Sequence, residues 1–322
     1  MSVRAITVEA AGGPEVLVMR ETAELSPGPG ELLVQTAAVG VNFIETYQRS
    51  GVYPVDLPFV PGTEAAGTVL EVGPGVTDFA SGDLVTTAQG IATYATRFLV
   101  DADRVARVPA GIDTETAAAL PMQGLTAHYL STSSSHPEPG DTVLVHAGAG
   151  GVGLLLTQLL TARGVRVIST ASTPEKRELS RAAGATEALA YDGFLARVRD
   201  LTDGDGVAVV YDGVGRATFD DSLRALRVRG ELVLFGGSSG QVPPFDLQRL
   251  NAGGSLSVTR PFLGHFLRTP DERAWRFGEL FDAISRGDLD VRIGARFPLA
   301  DAADAHRALE GRATTGKVLL IP

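Results

Sequence analysis

The run Val143-Leu144-Val145-His146-Ala147-Gly148-Ala149-Gly150-Gly151-Val152-Gly153-Leu154 limits the fold of this chain more than any other segment. An apolar stretch suited to a buried strand stops at a glycine turn, and an apolar helix opens at once. Gly148, Gly150 and Gly153 spell G-x-G-x-x-G between a strand and a helix, the setting in which that motif means dinucleotide binding. One glycine makes the tight turn, the next lets backbone approach a pyrophosphate, and the third lets helix pack on strand. The helix opening at Gly151, Val152 and Gly153 offers unpaired N–H groups and a partial positive charge to phosphates. A plain glycine turn is the competing reading; the flanking strand and helix weigh against it.

At 322 residues the chain suits two domains. With 44% hydrophobic and 20% charged residues it can bury ordinary globular cores. A net charge of -10 works against a nucleic-acid partner, because phosphate binding needs a basic surface. No apolar run reaches the length of a membrane span, and Met1 to Ile6 carries no apolar signal core, so a cytoplasmic location is expected. The chain has no cysteine, which removes disulfides, thiolate zinc sites and cysteine catalysis together.

Up to about Leu120 the sequence reads as strands and turns. Arg4 to Val8, Glu31 to Thr36 and Gly67 to Val72 are strand-like, with turn signals at Ser26 to Gly30 and Gly73 to Gly75 between them. From near Asp113 the pattern changes. Thr114 to Leu120 and Leu125 to Leu130 are helical in composition. Apolar runs then alternate with helical stretches: Thr142 to His146, Val165 to Ser169, Glu187 to Ala190, Val207 to Tyr211, Glu231 to Phe235 and Ser255 to Val258. Alternating strand and helix predicts a doubly wound parallel sheet, so the fold class is α/β with a second, β-rich domain. After Arg260 the pattern mixes again, with helices at Asp271 to Arg286 and Asp301 to Glu310 and a final strand from Lys317 to Ile321.

A nucleotide site selective for NAD places an acidic residue at the end of the second strand of this unit, on the ribose hydroxyls. Here that strand runs into Ala171-Ser172-Thr173-Pro174-Glu175-Lys176. Ser172, Thr173 and Lys176 can donate to a 2′-phosphate, which points to NADPH. Helix capping with a surface lysine is the alternative, and Glu175 is expected to point away.

These features come together in a resemblance. Val41 to Pro54, Pro61 to Gly67, Gln123 to Leu130, His146 to Gly153, Tyr211 to Gly215, Val258 to Pro261 and Arg312 to Lys317 resemble the medium-chain dehydrogenase/reductase superfamily. More narrowly they resemble its zinc-free NADPH:quinone oxidoreductases related to zeta-crystallin. The resemblance implies a GroES-like catalytic domain (residues 1–122), a Rossmann domain binding NADPH (123–260) and a C-terminal return to the catalytic domain (261–322). It further implies a homodimer, an active site in the cleft between domains, and a quinone or other conjugated carbonyl as substrate. Zinc-dependent relatives carry Gly-His-Glu where this chain has Gly62-Thr63-Glu64, so no metal is expected, and hydride acceptors that need no Lewis acid are favoured. Glu45 stands where many relatives carry aspartate.

The resemblance assigns Asn42, Tyr47, Tyr53 and Arg260 to the catalytic site. Asn42 would hold a substrate carbonyl or the cofactor amide. The tyrosines would stabilise negative charge on a quinone oxygen, and Arg260 would guard the cleft. Taken alone, Asn42 reads about equally as a turn residue, while the tyrosines read more often as packing residues and the arginine usually as a surface ion-pair group. To the cofactor it assigns Phe43, Thr126, the glycine turn with Gly151 and Val152, Ser172, Thr173, Lys176, Tyr191, Gly237, Ser238, Phe262 and Arg312. For Thr126 an ordinary helix residue is the alternative, and for the Gly236 to Gly240 run a flexible loop. His146 and His128 are expected to be structural, and His265 and His306 to be surface or cap residues. An alkenal or enone reductase shares all these motifs. A structural or RNA-binding role of the crystallin kind is the more distant alternative.

Overall fold

The computed structural model describes residues 2–322. The chain forms two units: the first holds the N-terminal part to Gln123 with Thr269–Gly287 and Val291–Pro322, the second Gly124–Arg268 with Asp288–Asp290.

In chain order the first unit opens with strands β1 (Val3–Thr7), β2 (Val18–Thr22) and β3 (Glu31–Val41), then helix α1 (Phe43–Arg49). Strands β4 (Ala65–Val72), β5 (Leu84–Thr87), β6 (Arg97–Asp101) and β7 (Ala106–Arg107) and helix α2 (Thr114–Ala119) follow. Helix α3 (Pro121–Thr132) leads into the second unit. There strands β8 (Thr142–Val145), β9 (Arg166–Thr170), β10 (Glu187–Leu189), β11 (Val207–Asp212), β12 (Leu226–Leu234) and β13 (Ser257–Thr259) alternate with helices. These are α4 (Gly151–Ala162), α5 (Pro174–Ala182), α6 (Phe194–Leu201), α7 (Phe219–Ala225) and α8 (Gln248–Ala252). The chain closes with α9 (Pro270–Arg286), β14 (Ile293–Pro298), α10 (Ala302–Glu310) and β15 (Lys317–Ile321).

The first unit is built on a seven-stranded sheet ordered β14-β15-β3-β4-β5-β7, with β6 also paired to β3. The long strand β3 serves two neighbours on one edge. Glu31 to Gln35 pair antiparallel with β6, and Val39 to Val41 pair with β15, Val41 opposite Val318. The last strand of the chain thereby lies beside the start of α1. The core holds Ile6, Leu32, Val34, Tyr94, Phe98 and Leu320, all essentially buried.

The second unit is a six-stranded parallel sheet in the order β10-β9-β8-β11-β12-β13, the Rossmann arrangement. The chain winds one way from β8 and the other way from β11, so the strand order reverses between them. In open α/β sheets ligands bind beyond the strand ends at that point. The glycine turn follows β8.

The return to the first unit falls later than residue 261. Residues 261–268 stay with the second unit, where the Phe266 ring stacks on Tyr129 at 4.3 Å and Leu267 is buried. The crossing comes at Thr269, whose hydroxyl caps α9 by accepting from Glu272 N, with Pro270 in the first turn. One sequence reading is overturned: His306 is neither surface nor cap. Ala302, Ala305 and His306 form the buried face of α10, and the imidazole bridges Arg49 Nη1 (3.3 Å) and Tyr94 Oη (3.1 Å). Arg49 can only donate, so Nδ1 accepts and Nε2–H donates to the tyrosine. Burial, then the Arg49 charge, push the imidazole down to about 3, and it stays neutral.

Candidate active site

In the second unit the glycine turn is shaped by close approach. A Cβ on Gly148 would meet Ser180 Oγ at 2.6 Å and Ser169 Cβ at 2.7 Å; one on Gly153 would collide with Ala147 O and lie 2.9 Å from Gly148 Cα. The left-handed residue of the turn is Ala147 (φ 54°), so the tight bend is made before the first glycine. Gly150 N donates to Ala147 O (2.8 Å) and Gly148 N to Thr170 O (2.8 Å), which fixes the turn on β9. Gly150 is the N-cap of α4 and has no side chain to satisfy the first helical N–H groups. The donors of Gly151, Val152 and Gly153 therefore open the helix with no preceding turn to accept from them. Ala147 N donates to Tyr191 Oη (3.1 Å), and the Tyr191 ring lies against His146.

Beneath the turn is a buried polar chain. Asp212, at the end of β11, accepts at Oδ1 from Val214 N and Gly215 N and at Oδ2 from the hydroxyls of Thr218 (2.7 Å) and Ser222 (2.9 Å). Because Ser222 gives its proton to the carboxylate, its oxygen accepts from His146 Nε2 (2.9 Å), leaving Nδ1 to accept from the Thr170 hydroxyl (2.8 Å). Burial holds His146 below its usual range, hence neutral. The order aspartate–serine–histidine ties three strand ends and α7 together. It is not a nucleophile triad, which needs histidine in the middle.

At the end of β9, Thr173 caps α5 by accepting from Lys176 N (3.3 Å), with Pro174 in the first turn. Ser172 is exposed. Glu175 is fully exposed in the first turn of α5, and its own backbone N–H and the Thr173 hydroxyl hold its carboxyl below the usual range. The Gly236 to Gly240 run is pinned. Gly236 N, Ser238 N and Ser239 N donate to Asp212, Gly213 and Val214 carbonyls, and Gly240 N to Gly237 O. Those backbone donors are spent inside the unit. Thr126 sits nearly buried on α3. Arg260 is exposed and reaches Pro261 O at 3.5 Å; Phe262 is exposed, its ring edge-on to His265.

In the first unit, Asn42 ends β3 and caps α1 in extended conformation. Its N–H donates to Glu45 Oε2 (2.8 Å), the return half of a capping box. Its amide faces inward: Nδ2 donates to Glu64 Oε2 (2.9 Å) and Oδ1 accepts from Lys317 Nζ (2.7 Å). Lys317 also forms an ion pair with Glu64, both fully buried, and Met122 N donates to Glu64 Oε1 (2.6 Å). Gly40 makes room, since a Cβ there would strike the Glu64 carboxylate and lie 2.7 Å from Lys317 Cε. Thr63, partly exposed, donates to Glu45 Oε1 (3.3 Å). Burial is the main cause raising the fully buried Glu45 carboxyl to about 7, against the lowering effect of Lys317. Farther along α1, the Tyr47 ring meets Tyr53 edge-on at 5.3 Å and Phe43 at 6.2 Å. Arg312 lies just past α10 in left-handed conformation (φ 54°), exposed.

Thus Asn42, Phe43, Tyr47 and Tyr53 cluster around α1, while the glycine turn, Thr173 and Tyr191 gather at the strand ends of the other unit. Sequence reading missed the hub formed by Glu45, Thr63, Glu64 and Lys317. The Asn-x-x-Glu spacing of a capping box at Asn42 and Glu45 was its one local signal.

Comparison with known proteins fits both halves. Residues 28–136 match the alcohol dehydrogenase GroES-like domain and 151–278 the zinc-binding dehydrogenase family. The chain is 45% identical to a quinone oxidoreductase of Pseudomonas aeruginosa, over 98% of this chain and 99% of that one. It belongs to the quinone oxidoreductase family. A mycobacterial protein solved in complex with NADPH is 54% identical, with a TM-score of 0.97 over 99% of this chain and 100% of that one. A 2-haloacrylate reductase from Burkholderia is 39% identical over 99% of both chains.

Zinc does not fit the donor set of this family member. Around Thr63 stand a hydroxyl, an amide and an ammonium already bonded to Glu64, with no thiolate or imidazole among them. Among the described residues no group of three or more His, Cys, Asp or Glu could hold a metal, and no helix is long and apolar enough to cross a membrane.

Proposed function

We propose that the protein is an NADPH-dependent quinone reductase that works without zinc. The observation that carries this reading is the glycine turn, closed to any Cβ at Gly148 and Gly153 and opening α4 with unsatisfied donors. The N–H groups of Gly151, Val152 and Gly153 bind the pyrophosphate. Thr173 and Lys176 take the 2′-phosphate, with Ser172, Tyr191, Thr126, Gly237, Ser238, Phe43, Phe262 and Arg312 completing the cofactor's surroundings. When bound, NADPH supplies a hydride. Tyr47 and Tyr53 orient the acceptor and stabilise negative charge on its oxygen, and Arg260 guards the approach. Asn42 acts from behind, holding the start of α1 rather than offering its amide outward. The protein's contribution is positioning and exclusion of water, with no covalent nucleophile.

The 2-haloacrylate reductase relative supports a second reading, hydride addition to an activated carbon–carbon double bond. One assay separates them: NADPH oxidation with 1,4-benzoquinone against a panel of enals, enones and 2-haloacrylate. Turnover of the quinone is expected. Turnover of the alkenes alone replaces the quinone with the alkene as acceptor. A cytoplasmic homodimer belongs to the same proposal, and sedimentation analysis checks its dimeric state.

A further inference from the structure

We propose that Glu45 is the proton reservoir of the reaction and that the Thr63 hydroxyl is the group that hands the proton to the acceptor. This inference rests on the reductase reading above and goes beyond it, since hydride transfer leaves the source of the proton open.

The geometry sets out the path. Glu45 is fully buried, and its two carboxyl oxygens have different partners. Oε2 accepts from Asn42 N (2.8 Å), so a proton on the carboxyl belongs on Oε1. Oε1 lies 3.3 Å from Thr63 Oγ1; the hydroxyl donates to it when Glu45 is ionised and accepts from it when Glu45 holds its proton, and Thr63 is partly exposed. A threonine hydroxyl can accept one proton while releasing another, so it links the buried acid to the surface of the unit.

Charge favours the acid form. Two carboxyls, Glu45 and Glu64, share one ammonium, and Lys317 Nζ bonds to Glu64 and Asn42 rather than to Glu45. The other charged or titratable groups around Glu45 do not supply a counter-ion. Tyr94, between β5 and β6, is buried and pushed well above its ordinary value. Arg49, on the same helix, is engaged by Glu310 and His306 of α10. The carboxyl is accordingly raised to about 7, where a general acid serves best.

The step balances. A quinone that has gained a hydride is a hydroquinone monoanion, two electrons reduced, and lacks one proton. The Thr63 O–H bond breaks as an O–H bond forms on the hydroquinone. The Glu45 Oε1–H bond breaks as the Thr63 O–H bond is remade, leaving Glu45 as the carboxylate. After product leaves, solvent returns the proton through Thr63.

The test compares the wild type with Thr63→Val, Thr63→Ser and Glu45→Gln. For each, kcat and KM are read across pH in H2O and D2O, and the protonated-carboxyl infrared band is titrated without substrate. Wild-type kcat is expected to fall as pH rises through about 7 and to show a solvent isotope effect. Thr63→Val and Glu45→Gln should each lower kcat at least ~10-fold with little change in KM, and should lose both the pH step and the isotope effect. Thr63→Ser should retain them. The infrared band should titrate near neutrality in wild type and vanish in Glu45→Gln. If wild type turns over quinone and the folded variants keep its kcat, pH profile and isotope effect, the relay is wrong and the reductase reading stands. If wild type turns over no acceptor, the reductase reading falls with it. If no carboxyl titrates near neutrality, the relay is overturned whatever the turnover.

Discussion

The buried polar chain beneath the glycine turn and the one behind Asn42 solve the same problem differently. Asp212 is a buried carboxylate with no cation among its bonded partners, and four donors hold it: two backbone N–H groups and two hydroxyls. Glu64 is held by an ammonium, an amide and a backbone N–H. Glu45, beside it, has the Asn42 N–H and one hydroxyl. The four donors fill the oxygens of Asp212 and fix the strand ends around it. At Glu45 burial outweighs the hydrogen bonds and the Lys317 charge, and the carboxyl keeps its proton near neutrality. The second unit thus holds a fixed frame for a ligand, and the first holds a group whose charge can change.

Removing the ammonium breaks the comparison most directly. Lys317→Met leaves Glu64 buried without its ion, which should cost about 3–5 kcal/mol, read as a lower denaturation midpoint. Adding Glu64→Gln should recover part of that loss, because the two sites share one interaction. If the single substitution is as stable as wild type, the hub is not held by charge.

Legibility in the sequence divides along the same line. The glycine turn is contiguous, Val143 to Leu154, so strand, turn and helix all register in local pattern, and the parallel sheet follows from alternation. The hub is drawn from Asn42, Glu45, Thr63, Glu64 and Lys317, joined because β15 pairs with the end of β3. No local period announces that pairing. Lys317 read as the start of the final strand, with no local sign that its side chain would be fully buried. His306 misled for the same reason, since its partners Tyr94 and Arg49 lie on distant segments. Within the glycine turn the sequence placed the bend on a glycine, whereas Ala147 takes the left-handed conformation and the glycines serve close approach.

The charge state of Glu45 also has a sign that stability measurements can check. A carboxyl raised from 4.5 to about 7 by burial binds its proton more tightly when folded. Its contribution is fully present below pH 4.5 and is lost as pH rises through about 7. The loss amounts to about 3 kcal/mol at alkaline pH. Glu45→Gln, always neutral, should match wild type at acid pH and exceed it above pH 7. Equal thermal midpoints at alkaline pH would show that Glu45 is ionised in the fold at no cost.

The fixed frame should fail sterically instead. Gly153→Ala drives a methyl into Ala147 O and Gly148 Cα. It should cost about 1–3 kcal/mol of stability and weaken NADPH binding, with no new pH dependence in either. A pH-dependent loss would remove the distinction between a rigid nucleotide frame and a titrating hub.

The smallest effect tests the edge of that frame, where the exposed Glu175 sits in the first turn of α5. A 2′-phosphate arriving at the N-terminus of α5 meets favourable helix donors and Lys176, but also this carboxylate. The carboxylate is fully exposed, so solvent screens most of the repulsion. Glu175→Gln should therefore tighten NADPH binding only ~2- to 5-fold, about what a single charge near a helix end contributes. NADH affinity should stay unchanged, since its adenosine ribose carries no phosphate. The gain should shrink as salt is raised, which separates a charge effect from a change in the shape of the cap. Equal tightening of NADH and NADPH would mean that Glu175 acts on the cap itself, and that the 2′-phosphate is held elsewhere.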